Sequence, residues 1–250
     1  MSEPLLTQKP VPGFASSVRP RLISSRVFAW ATLLVLTAVS TGIYAHGVDE
    51  SSKAFLSGQT GQAILPFIYI GAKHMITGYD HLLFLTGVIF FLFRPREILL
   101  YVSLFTLGHS LTLIYGTLYE INLNPWLIDA IIGLSVVYKG FDNLGGFKRL
   151  LGYQPDTRIA VLIFGLFHGF GLATKLQQLI NRDEGMLANL MAFNLGVELG
   201  QLAALFLILT LVTQWRRLPG FPRFALTANT ALISLGLMLT GYQLTGYYLS

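Results

Sequence analysis

The sequence contains no cysteine, which removes disulfide frameworks and thiolate sites together; a metal held by this chain is expected to sit on nitrogen and oxygen. Charge is also scarce, at 12% of the 250 residues against 53% apolar ones, and mean hydropathy is +0.61. Such a balance belongs to a chain that crosses a membrane several times. There is no H-E-x-x-H pair, no nucleophile elbow and no nucleotide-binding glycine loop, so ATP does not power any transport within this chain.

What the chain does have is a series of apolar runs, each long enough for a hydrocarbon core that takes about 20 helical residues. They fall at 27–45, 76–93, 98–118, 125–142, 159–178, 188–214 and 224–248. The expected fold is therefore all-α, a polytopic transmembrane helix bundle of about seven spans. The stretch QAILPFIYIGAK at 62–73 is too short to cross and contains Pro66. It reads as an interfacial or re-entrant helix, or else as an outward extension of the second span.

The net charge of +5 would suggest nucleic acid in a soluble protein, but its distribution points elsewhere. Of the 17 basic residues, all but Lys53, Lys73, Lys175 and Arg182 fall on one side of this span scheme. The bias sets the amino terminus in the cytoplasm and the carboxyl terminus outside, consistent with an odd number of spans. Residues 1–26, with Pro4, Pro10, Pro12, Pro20 and several serines, read as a disordered cytoplasmic tail. Residues 27–250 read as a single transmembrane domain, with 27–45 an uncleaved anchor; cleavage as a signal peptide would leave six spans.

The informative residues are the ionisable ones that fall inside apolar runs: His74, Asp80, His81, His109, Asp129, His168 and Glu198. A charged group at mid-membrane costs about 2.5–3.5 kcal/mol on insertion scales, so such groups seek partners. Counting about 1.5 Å per residue, Asp80, His109, Asp129, His168 and Glu198 lie about 14–24 Å from the cytoplasmic ends of their spans, in one slab between midplane and outer leaflet. Helical phase adds polar stripes, with Thr106, His109 and Ser110 on one face and Asn194, Glu198 and Gln201 on another. One shared polar site is the expectation.

His74, Thr77 and His81 also share a face. On a straight helix His74 and His81 are about 10 Å apart, too far to hold one ion, and a break at Gly78 is what would bring them together. Gly165-x-x-x-Gly169 and Gly196-x-x-x-Gly200 are expected to let helices approach closely. The Lys139/Asp142 pair is expected among the headgroups.

Taken together, GAKHMITGYDHLLFL (71–85), FTLGHSLTL (105–113), DAIIGLSVVYKGFDN (129–143), FGLFHGFGLA (164–173) and FNLGVELGQL (193–202) resemble the HupE/UreJ family of membrane proteins, generally regarded as nickel or cobalt permeases. In that family the H-x5-D-H element is taken as the metal-binding signature, and it maps onto His74, Asp80 and His81. The chain departs from the family in carrying Asp129 where Glu is expected, and in keeping only His46 of a histidine-rich segment.

The resemblance implies a multi-pass protein of the bacterial inner membrane that carries a divalent transition metal, Ni, Co or Zn. The ligands would be His74, Asp80 and His81, with His109, His168 and Glu198 completing the site or forming a second position along the path. Thr77, Ser110, Asp129, Asn194 and Gln201 would orient imidazoles and neutralise charge. Its partners are then the metal ion and the lipid bilayer, with no nucleic acid; a membrane protein partner or a homo-oligomer fits equally. Two other classes stay open: an intramembrane metal-dependent hydrolase acting on a lipid or membrane peptide, with Glu198 or Asp80 as general base, and a non-catalytic membrane subunit or assembly factor whose polar cluster only fixes helix packing.

Overall fold

A computed structural model describes residues 61–177, 185–217 and 221–250. The expected tail at 1–26 and the expected first span at 27–45 lie outside the described residues. Within them the chain is entirely helical, with eight helices and no strand. We number them α1 (Ile64–Thr77), α2 (Tyr79–Ile89), α3 (Pro95–Leu118), α4 (Pro125–Asn143), α5 (Gly146–Leu151), α6 (Thr157–Leu176), α7 (Met186–Arg216) and α8 (Phe221–Leu249).

Local chemistry sets the boundaries. Pro95 and Pro125 occupy first-turn positions, where the missing N–H costs no helical bond. Asn124 accepts from the backbone N–H of Trp126 (3.0 Å) and Leu127 (3.3 Å), and Asp156 from that of Arg158 (2.8 Å), which caps α4 and α6. Gly145 (φ 68°) and Gly152 (φ 77°) adopt the left-handed conformation on either side of α5, a short helix inside what the sequence presents as one connection.

Three helix pairs are packed so closely that glycine is required at the contact: α1 with α7, α3 with α6, and α4 with α8. A Cβ on Gly200 would sit 2.7 Å from the Ala72 carbonyl oxygen, one on Gly108 2.5 Å from that of Leu162, and one on Gly133 2.8 Å from the Thr240 nitrogen. Both small-xxx-small motifs act as expected, Gly165 and Gly169 facing α3, Gly196 and Gly200 facing α1. The register gives each pair a direction. Ile68 meets Gly196 and Ala72 meets Gly200, so α1 and α7 run parallel; Phe105 meets Gly165 and His109 meets Gly169, so α3 and α6 do too. Gly133 meets Thr240 and Gly140 meets Asn229, so α4 and α8 are antiparallel.

The short helix α2 touches members of all three pairs. Its carboxyl end is held by Arg216 of α7, whose guanidinium donates to the carbonyls of Ile89, Phe90 and Leu92 and lies 4.3 Å from the centre of the Phe93 ring. Those donors satisfy carbonyls that a helix end leaves without partners.

Among the described residues four helices, Pro95–Leu118, Thr157–Leu176, Met186–Arg216 and Phe224–Leu249, are long and apolar enough to cross a membrane. They correspond to the expected spans at 98–118, 159–178, 188–214 and 224–248. Their outer faces expose large apolar side chains such as Leu107, Leu111, Ile163, Leu199 and Phe206, as a lipid-facing surface requires. Helix α4 coincides with the expected span 125–142 but carries three charged residues, Asp129, Lys139 and Asp142. The expected span 76–93 is corrected: it is no single helix, because the chain breaks at Gly78 and the apolar stretch divides into α1 and α2, of 14 and 11 residues. The short helix expected at 62–73 is correspondingly shifted to Ile64–Thr77.

Candidate metal centre

The break at Gly78 builds the site. Gly78 has an extended backbone (φ −72°, ψ 100°); its N–H still donates to the His74 carbonyl at 2.9 Å and closes α1, while its own carbonyl accepts from Leu82 at 3.1 Å and opens α2. A Cβ here would lie 2.8 Å from His81 Nδ1 and 3.2 Å from Asp80 Oδ1, so a side chain would take the space those two groups occupy. Across this bend the His74 and His81 rings stand 5.1 Å apart, centre to centre, where a straight helix would hold the two positions about 10 Å apart.

His81 is the hub. Its ring centre lies 4.8 Å from that of His168 on α6 and 6.0 Å from that of His109 on α3. Asp80, His81 and His168 each offer a nitrogen or oxygen atom, and these atoms lie within 4.8 Å of one another. All five residues are buried, with exposures of 7% for His74, 3% for Asp80, 2% for His81, 1% for His109 and 2% for His168. Burial on this scale is tolerable because imidazoles can stay neutral, whereas the Asp80 carboxylate needs compensation. Asp80 stands in the first turn of α2, where backbone N–H groups favour negative charge. Its Oδ1 lies 3.1 Å from His81 Nδ1; with the proton on Nδ1, the imidazole is oriented and Nε2 presents its lone pair.

Aromatic rings wall the group. Phe105 stacks on His109 (6.1 Å, 16°) and meets His168 edge-on at 4.9 Å, Phe84 lies 5.7 Å from His168, and Phe193 6.3 Å from His74. Towards the end where α2 finishes and α3 and α6 begin, His81 borders a cavity of about 10 Å³, room for about one water. The cavity is floored by Phe84, Leu85, Val88, Val102 and Val161, with Tyr101 and Gln201 as its polar members besides His81.

The structure thus gathers His74, Asp80, His81, His109 and His168 but not Glu198, which is exposed. The buried face of α7 is fixed by Gly196, Val197, Gly200 and Gln201, and Glu198 falls at its edge; matched depth carries no information about azimuth. The residues expected to orient imidazoles bond elsewhere. Ser110 donates to Asn194 Oδ1 and Thr106 to Gln201 Oε1, both at 2.9 Å, so two polar stripes read separately in the sequence zip α3 to α7. Thr77 is exposed and its hydroxyl donates to the Lys73 carbonyl at 2.8 Å. Asp129 accepts from Lys175 Nζ at 2.7 Å.

Sequence reasoning missed Lys175, counted only as an outer basic residue. The signal was present, since an acid at the start of one span and a base at the end of another fall at the same end of the bundle. Lys139 and Asp142 form a buried ion pair, with side-chain exposures of 8% and 4%, and Gln154 and Thr157 donate to the same carboxylate.

Apolar helices of membrane-crossing length around a buried histidine and aspartate group define a membrane protein with a candidate metal centre inside its bundle. Residues 50–250 match the family model described as HupE / UreJ protein, and the chain belongs to that family. Neither the curated proteins nor the solved structures gave a match.

Proposed function

We propose that this protein is a permease for divalent transition metals of the nickel and cobalt type in the bacterial inner membrane. Its transport site is formed by His74, Asp80, His81, His109 and His168, with Glu198 outside the ligand set. The observation that carries this is the convergence of Asp80, His81 and His168 donor atoms within 4.8 Å in a buried pocket. Neutral imidazoles and one carboxylate suit Ni(II), Co(II) or Zn(II), and discrimination among them has to come from geometry, because affinity alone favours Cu(II).

The pair directions support the crossing scheme. If α1 and α2 together make one discontinuous crossing, α3, α4, α6, α7 and α8 alternate after it. That order makes α1 and α7 parallel, α3 and α6 parallel, and α4 and α8 antiparallel, as their registers require. Together with 27–45 the count is seven, with the amino terminus inside. A crossing broken at its midpoint is a known solution for ion sites in transporters, since irregular backbone inside the membrane is tolerated where it lines a site.

In this scheme the apolar floor below His81 closes the cytoplasmic route, and transport requires Phe84, Phe105 and their neighbours to separate. The same floor favours a second reading, an intramembrane metal-dependent hydrolase with a site open to one side only. Uptake separates the two. In proteoliposomes the permease accumulates radioactive nickel in the lumen, and His81→Ala and His168→Ala abolish accumulation while the protein stays folded; indifference of uptake to His74→Ala and His81→Ala contradicts the assignment.

A further inference from the structure

His168 and Lys175 are seven residues apart on α6, which puts them on one face, about 10 Å apart along the axis. Between them is Gly171, where an added Cβ would lie 3.6 Å from Asp129 Oδ1. The carboxylate of α4 therefore lies close to the α6 backbone, beside Ile128 and Ile132 and one turn beyond His168. Lys175 closes the column from the helix end, its ammonium 2.7 Å from Asp129 Oδ2. The pair is withdrawn from solvent, at 17% exposure for the Lys175 side chain and 6% for that of Asp129. On the opposite side of the histidine group lies the apolar floor, so along α6 the charged groups stand on the side of His168 towards the helix end.

We propose that Asp129 is the outer landing point for a divalent cation bound for the histidine group, and that the Lys175 ammonium is a tethered cation holding this place until the ion displaces it. This rests on the permease assignment above. The chemistry is a competition of two cations for one carboxylate. A lysine suits it because a flexible four-carbon stem carries a single positive charge that can swing away without leaving the protein. While the pair is closed, the ammonium also repels other cations at the mouth. When an ion takes Asp129, the released ammonium repels it onward, towards neutral imidazoles that bind it without competing charge. An arginine at 175 would hold the carboxylate with a rigid two-toothed fork and open less readily.

The test uses full-length protein in detergent and in proteoliposomes, with nickel alone as the probe. Lys175→Gln leaves the carboxylate without its tethered cation, and we expect it to bind one more nickel ion per chain than wild type, an increment lost again in the Asp129→Asn/Lys175→Gln double variant. Lys175→Arg is expected to bind nickel at equilibrium like wild type but to take it up severalfold more slowly. Unchanged nickel stoichiometry in folded Lys175→Gln overturns the proposal. So does wild-type uptake by Lys175→Arg, which decides the matter should Lys175→Gln fail to fold. Loss of nickel binding from wild type itself would instead sink the permease assignment.

Discussion

His74 and His81 are seven residues apart in one apolar stretch, yet their rings approach to 5.1 Å because the helix between them stops and restarts at Gly78. Positions 74 and 81 would share a face on a continuous helix without sharing a ligand. The bend also starts a new helix amino terminus directly under Asp80, so one glycine both gathers the imidazoles and stabilises the carboxylate among them.

Gly78→Ala is therefore expected to remove function with little loss of folded protein. Its methyl group meets His81 Nδ1 at 2.8 Å, and alanine favours helix over glycine by about 1 kcal/mol, which pulls the break towards continuity. Nickel uptake in cells should fall to the level of His81→Ala, with normal amounts of protein in the membrane fraction.

Packing at the site's own level is tested at Gly169, where a Cβ would run into the His109 carbonyl and the Thr112 hydroxyl. Gly169→Ala should cost about 1–3 kcal/mol through overpacking and separate α3 from α6 where they carry His109 and His168. Gly241→Ala, which meets nothing within 4 Å, is the control and should be neutral or slightly stabilising. Thermal unfolding in detergent reads both.

Much of this arrangement was legible in the sequence, and the limits are instructive. Residue spacing along each span puts His81, His109 and His168 at one level, as their rings are found together, because rise per residue is a constant of the helix. It also gave the two small-residue contacts and the condition on Gly78. Azimuth was the quantity that depth could not supply. Glu198 is exposed, since the glycines at 196 and 200, not the carboxylate, decide which face of α7 meets its neighbours. Partner choice was the other limit: Asn194 and Gln201 look like supports for imidazoles until the facing stripe of Thr106 and Ser110 is seen opposite them.

Glu198→Gln consequently leaves nickel binding within about twofold of wild type, a difference of about 0.4 kcal/mol. Equilibrium dialysis of the purified variant measures it.

The Lys139–Asp142 pair carries a stability prediction without a transport one. Lys139→Met strands a buried carboxylate and should destabilise the protein by about 3–5 kcal/mol, whereas Lys139→Met/Asp142→Leu, which removes both charges, should recover most of the loss. Unfolding midpoints of the single and double variants show whether it does.

Protons and metal compete for the same imidazole nitrogens, so bound nickel decreases as pH is lowered. Equilibrium dialysis of purified wild type over a series of falling pH values should show nickel progressively lost, and no such curve should be seen in His81→Ala.

The central claim is that histidines from α1, α2, α3 and α6, with one aspartate, form a single metal-binding pocket. Nickel X-ray absorption on purified, nickel-loaded wild type and His81→Ala tests it most directly. The account predicts a wild-type spectrum of nitrogen and oxygen donors with imidazole scattering, and its disappearance in His81→Ala. A wild type that retains no nickel, or a spectrum unchanged by the loss of His81, would contradict it.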